Sequence, residues 1–203
     1  LFKIAVLVSG GGSNLQAIID AIEFEQLNAS IEFVISDKKD AYALKRAEEK
    51  NITTLVFDRK EYGRNSSDKI LEVLKGKVDL IVLAGYLSIL DGDILKEFNN
   101  KIINIHPSLI PSFCGPKMYG IKVHEAAINM GVRYSGCTVH YVNELVDGGA
   151  IILQQVVNVY FEDDAKTLQK RVLEEEHKLL KKAIKLIIED KILIDNGRVK
   201  IKS

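Results

Sequence analysis

Two rhythms of apolar residues run along this chain, and they divide it into strands and helices. Lys3 to Val8 (KIAVLV) is a continuous apolar run, the pattern of a strand buried on both faces. After Gly10-Gly11-Gly12, Ser13 opens a stretch with apolar residues at Leu15, Ile18, Ile19 and Ile22, which is helical spacing. The alternation repeats. Strands are predicted at Ile31 to Ser36, Thr54 to Phe57, Leu80 to Ala84 and Ile102 to Ile105, with helices at Ala41 to Lys50 and Asp68 to Lys75. Strands alternating with helices imply parallel order and right-handed crossovers.

Beyond residue 130 the rhythm changes. Thr138, His140 and Val142 alternate with Cys137, Val139 and Tyr141, and Ile151 to Val157 follows after a short loop, so these two strands should be antiparallel neighbours. A long amphipathic helix is predicted from about Ala165 to Glu189, and Asn196-Gly197 marks a closing turn. No repeat, linker or low-complexity stretch interrupts the chain. The pattern predicts an α/β fold: a mostly parallel, mixed sheet with helices on both faces.

Lys plus Arg equals Asp plus Glu at 28 each, so no overall field favours nucleic acid or an acidic membrane. An anionic ligand must be held by a local device. Cys114 and Cys137 fit neither a zinc pattern nor a disulfide framework. No apolar run approaches 18 residues and no signal peptide is apparent, so a cytoplasmic enzyme or binding protein is expected.

Two local devices stand out. The first is the glycine run before Ser13-Asn14, where backbone N–H groups and a helix N-terminus could cradle a phosphate. The pattern is not G-x-G-x-x-G and no P-loop lysine follows, so a tight turn with a capped helix is an equal reading. The second is Asn104-Ile105-His106-Pro107, with Asp147-Gly148-Gly149 downstream. Asn104 and His106 share one strand face, and Pro107 should end the strand there, at the carboxyl edge where open sheets bind ligands. Asn104 can donate to a tetrahedral oxyanion, a role worth about 3–4 kcal/mol of barrier. His106 can donate to the same oxygen, and Asp147 should raise its charged population or relay a proton. Each element alone is more often a turn or a loop.

Four ordered motifs add to this reading: VLVSGGGSNLQAIIDAI from Val6, LIVLAGYLSIL from Leu80, NIHPSLIP from Asn104, and GCTVHYVNELVDGGAIILQQVV from Gly136. With Arg171-Val172 and Glu176-His177, they give a chain that resembles the phosphoribosylglycinamide formyltransferases, folate-dependent enzymes of purine synthesis, from about Lys3 to Leu180. The resemblance implies a single Rossmann-like formyltransferase domain over residues 1–203. Its N-terminal half would bind the nucleotide phosphate, and its C-terminal half would carry the folate site and the catalytic loop. It further implies formyl transfer from 10-formyltetrahydrofolate to the amine of glycinamide ribonucleotide, with Asn104, His106 and Asp147 catalytic and no metal. Gly12, Ser13 and Asn14 would hold the phosphate, and Glu176 the ribose hydroxyls. Leu87, Ser88, Ile89 and Leu90, with Asn143, Glu144, Leu145, Val146 and Asp147, would enclose the pterin. Arg64 aligns with a folate-contacting arginine, or is an exposed charge. Thr138 and His140 would orient the acid and ordered water.

Glu176 falls between Val172 and Leu180 on the apolar stripe of the last helix, where a charge is costly unless paired. His124, His177 and the two cysteines are expected to be structural. Two positions depart from the family. Ser88 stands where an arginine is common, and Phe113 to Gly120 replaces a shorter turn, with Lys117 and Tyr119 expected on a surface loop. Related enzymes that transfer formyl to water or to methionyl-tRNA are expected to carry an added domain, and this chain begins directly at strand one. A passive sugar-phosphate or folate binder would not need the Asn–His–Asp set. A monomer or a homodimer is expected.

Overall fold

A computed structural model describes residues 1–202, except for the side chains of Arg59 and Arg64. In chain order the elements are β1 (Phe2–Val8), α1 (Ser13–Glu23), β2 (Ala29–Ser36), α2 (Tyr42–Glu48), β3 (Thr53–Val56), α3 (Arg59–Tyr62), α4 (Ser66–Leu74), β4 (Leu80–Leu83) and α5 (Asp93–Glu97). They continue with β5 (Ile102–His106), α6 (Ile121–Met130), β6 (Tyr134–Tyr141), β7 (Ile151–Asn158), α7 (Ala165–Ile188), β8 (Ile192–Asp195) and β9 (Arg198–Ile201). A seven-stranded sheet runs in the order β3-β2-β1-β4-β5-β6-β7. The pairs β1–β2, β1–β4, β2–β3 and β4–β5 are parallel, and β6–β7 is antiparallel. This is the mixed, mostly parallel α/β fold that the apolar rhythm implied.

The chain forms two compact units, residues 1–104 with 142–144, and residues 105–141 with the chain from 145 onward. In the first, β1 is buried from Ile4 to Val8, as its unbroken apolar run requires. Ala5, Leu7, Ile35, Ile70, Leu74, Ile81, Ile94 and Ile102 share its core with Tyr86 and Leu90. The short helices α3 and α5 lie in stretches where the sequence pattern gave no helix.

In the second unit α7 packs on β6, β7 and α6. Asp164 caps α7, accepting from the Thr167 N–H at 2.7 Å. Its buried stripe is Leu168, Val172, Glu176, Leu179, Leu180, Ala183 and Ile184. α6 lies in a stretch where the apolar pattern implies no helix; it starts after Gly120 and ends at Gly131 in the left-handed region. Asn196-Gly197 makes more than a closing turn: it is the two-residue loop of the β8–β9 hairpin, both residues at positive φ.

Leu180 is fully buried in this stripe. Leu180→Ala should lower the unfolding free energy by about 2–5 kcal/mol, read from urea denaturation at neutral pH. A change under about 0.5 kcal/mol would contradict the docking of α7.

Candidate active site

In the second unit the site grows from two buried imidazoles and one partly buried carboxylate. β5 ends on His106, and Pro107 prevents its continuation. β6 presents Thr138 and His140 on one face, and the loop after β6 supplies Asp147. Asp147 sits in the left-handed region at φ 55°, and the Gly148 N–H donates to the Leu145 carbonyl at 3.0 Å. A Cβ at Gly148 would lie 2.6 Å from that of Leu145, so this tight turn needs glycine there.

One oxygen of Asp147, Oδ1, lies 3.7 Å from His106 Nδ1 and 3.7 Å from His140 Nε2. The remaining ring nitrogens are committed elsewhere. His106 Nε2–H donates to the Phe113 carbonyl at 3.0 Å, and His140 Nδ1–H donates to the Tyr141 carbonyl at 2.8 Å. A carbonyl only accepts, so in their neutral forms both rings turn lone pairs toward the carboxylate. That is repulsive. A proton added to either ring converts the repulsion into an ion pair.

The surroundings set the balance. Burial lowers the His106 pKa below the ordinary histidine value and outweighs the opposing pull of Asp147 and the Phe113 carbonyl. Asp147 favours the imidazolium, as expected, but the net shift is toward the neutral ring. Burial pushes the Asp147 carboxyl up, yet hydrogen bonding from His140, the charged forms of the His106 and His140 rings and the Gly115 N–H together hold it below the usual range. That N–H donates to Asp147 Oδ2 at 2.8 Å.

Thr138 departs from expectation. Its hydroxyl donates to the Ser108 carbonyl at 2.7 Å and accepts from the Ile110 N–H at 3.2 Å and Gln154 Nε2 at 3.0 Å. One donor and two lone pairs are all a hydroxyl has, so Thr138 fastens the turn after β5 and has nothing left for the acid. His140 does meet Asp147. The longer segment has two roles that the sequence did not separate. Lys117 and Tyr119 are exposed, while Phe113 and Gly115 touch the His106–Asp147 pair through main-chain atoms.

Elsewhere in this unit Glu176 is buried, as its place on the stripe implied. Burial, with the Glu176 and Glu175 charges, pushes the Cys137 thiol up to about 12, which leaves it an inert packing group. Cys114 is also raised by burial and by Asp147. Leu145 and Val146 are exposed.

In the first unit α1 is capped by Gly12, not by Ser13, so the Ser13 hydroxyl is not spent on the cap. Gly12 has φ 73°, and a Cβ there would lie 2.6 Å from that of Ala43. Arg46, unnoticed in the sequence, donates to the Gly11 carbonyl at 2.8 Å and to Gln16 at 3.0 Å, bringing a guanidinium to the glycine loop. Asn14 is buried. Asn104 is half-buried and pairs with Leu83 across β4–β5. Leu87 and Ile89 are exposed and Leu90 is buried. The Leu87 N–H donates to Ser9, and the Ser88 hydroxyl donates to the buried Asp37 at 2.7 Å. Asn143 and Glu144 are exposed. The Arg64 side chain lies outside the described residues. Among the described residues, no group of three or more His, Cys, Asp or Glu side chains is arranged to hold a metal ion, and no helix is long and apolar enough to cross a membrane.

Residues 2–184 match the formyl transferase family. The chain is 44% identical over 198 residues to phosphoribosylglycinamide formyltransferase of Haemophilus influenzae, covering 96% of this chain and 91% of that protein. It is 41% identical over 196 residues to the chloroplastic phosphoribosylglycinamide formyltransferase of Arabidopsis thaliana, covering 94% of this chain and 66% of that protein, so it spans about two thirds of the plant protein's length. Glycinamide ribonucleotide transformylase 1 from Symbiobacterium toebii has a similar structure, with a TM-score of 0.94 at 39% identity over 100% of this chain and 95% of that one.

His124, fully buried on α6, is lowered to about 4 by burial and by the neighbouring His106. Its folded form prefers to be neutral. Stability is therefore complete above the ordinary histidine value and falls as the pH drops toward 4, by on the order of 3 kcal/mol. His106 adds to the same trend, and Asp147 extends it below the ordinary carboxylate value. His124→Gln should flatten the decline between pH 6.5 and about 4, seen in urea unfolding at several pH values. An unchanged slope would contradict it.

Proposed function

The chain belongs to the formyl transferase family, and we propose that it transfers the formyl group of 10-formyltetrahydrofolate to the amine of glycinamide ribonucleotide, in a cytoplasmic setting. On this reading residues 1–203 act as one formyltransferase domain. The observation that carries the chemistry is the partly buried Asp147 carboxylate beside two imidazoles whose outer N–H groups are already committed. Passive binding needs no such acid–base cluster.

The amine nitrogen adds to the formyl carbon, and the carbonyl electrons move onto oxygen. Asn104 donates to that oxyanion. His106 donates through Nδ1, because Nε2–H serves Phe113, so it acts as the imidazolium. Asp147, oriented by His140, passes the proton lost by the amine to His106 Nδ1 while the oxyanion exists, and then carries it from there to the departing folate nitrogen. The C–N bond to folate then breaks, with the proton on the leaving nitrogen and no acyl group ever on the protein. Gly12, Ser13 and Asn14 hold the phosphate, which suits an open loop and an uncapped hydroxyl. Glu176 receives the ribose hydroxyls. Leu87 to Leu90 and Asn143 to Asp147 hold the pterin; Leu87 and Ile89 are exposed apolar side chains of the first unit, and Leu145 and Val146 of the second.

A formyl hydrolase could use the same cluster with water as acceptor. Absorbance of released folate, measured with and without glycinamide ribonucleotide, separates them: transfer requires release that depends on the amine, and equal release in both arms would establish hydrolysis. Asp147→Asn should reduce turnover by at least about a thousandfold, within the range for a lost acid–base group, with ribonucleotide affinity within a few-fold. Near-normal turnover would remove Asp147 from the mechanism.

A further inference from the structure

The groups that fix His106 and Asp147 are main-chain atoms of a turn that a surface side chain fastens. Gln154 lies on β7 with an exposed side chain. Its Nε2 donates twice, to the Ile110 carbonyl at 3.0 Å and to the Thr138 hydroxyl at 3.0 Å. Thr138 in turn holds both the Ser108 carbonyl and the Ile110 N–H. The turn is closed within itself by Ser108 Oγ to the Ser112 carbonyl and by the Ser112 N–H to the Leu109 carbonyl. Leu109 seats it on β6 at Gly136, where a Cβ would come within 2.7 Å of the leucine Cδ2. The next residues are Phe113, which accepts from His106, and Gly115, which donates to Asp147.

From this continuous chain of hydrogen bonds we infer that Gln154 is a positioning residue, which holds the Ser108–Gly115 turn so that the Phe113 carbonyl keeps His106 in its Nε2–H form with Nδ1 toward Asp147. The inference rests on the proposed formyl transfer for its kinetic readout, but not for its spectroscopic one. Both Nε2 hydrogen bonds of Gln154 go to the turn and to Thr138, and removing its exposed side chain opens no core cavity. Its effect must pass through the turn. With the turn loosened, the proton on His106 can move to Nδ1, where Asp147 accepts it, so that Nδ1–H is tied to the carboxylate when the oxyanion forms. The groups facing His106 are Asp147, His140 and His124.

The test compares Gln154→Ala and Gln154→Glu with Gln155→Ala, the neighbouring glutamine, whose amide donates only to the Val156 carbonyl. Glutamate keeps the shape of glutamine but has no N–H to donate. Imidazole ¹⁵N shifts of the unliganded protein should show His106 as the Nε2–H tautomer in the parent and in Gln155→Ala, and a mixture in both Gln154 variants. In the formyl-transfer assay both should lose about tenfold in kcat with KM for the ribonucleotide unchanged. The His106 titration should move down, because the Phe113 carbonyl favours the charged ring. A parent-like tautomer in both variants overturns the inference. So does a loss confined to KM, or a kcat loss with His106 unshifted. Failure of the parent to transfer formyl at all would count against the proposed function alone, since the tautomer measurement stands without it.

Discussion

Asp147 Oδ1 faces two imidazole nitrogens at equal distance, and neither ring can turn away, because each has given its other N–H to a backbone carbonyl. Much of the second unit serves that arrangement. The end of β5 places His106, the face of β6 places His140, and a left-handed turn aims the carboxylate back between them. Burial makes the arrangement consequential. Removed from water, the carboxylate and the rings have no solvent to relieve them, and burial also disfavours the charged His106 ring, so protonation as the pH falls costs the fold stability. A buried ion pair contributes little net stability, and the fold is held by its apolar layers. The cluster is placed for chemistry, and the β6–α7 packing tolerates it.

Periodicity made most of the frame legible. β1, with its unbroken run of aliphatic residues, could only be a strand buried on both faces, and the stripe from Leu168 to Ile184 could only be one face of a long helix. What escaped notice was short or weakly patterned. α6 buries only Val123, His124 and Ala127, too sparse a stripe to register, although Gly120 and Gly131 bracket it. α5 is a five-residue turn with Ile94 as its single buried residue. The β8–β9 hairpin was visible only as its Asn-Gly turn.

The same division holds at the site. Strand parity correctly placed Thr138 and His140 on one face, but parity cannot say which neighbour uses a hydroxyl's three hydrogen bonds. The turn used all of them. Phe113 and Gly115 could not be read from residue type, because every residue carries a carbonyl and almost every one an N–H. Only the path of the chain decides which of them meets an imidazole. Arg46 likewise looked like any surface charge of a helix until the chain brought it to the Gly11 carbonyl.

The direction of the His106 shift bears on how the cluster would act. A ring already charged in the resting state would already be paired with the Asp147 carboxylate, and part of its donor strength would be spent there. A ring that burial keeps neutral, beside an ionised carboxylate, responds only when negative charge appears on the formyl oxygen. In the proposed reaction that moment coincides with the amine's loss of a proton. The proton then sits on an imidazole between two anions, carboxylate on one side and oxyanion on the other. The repulsion of the resting state thereby becomes an attraction that exists only while the tetrahedral species does, and that difference lowers the barrier.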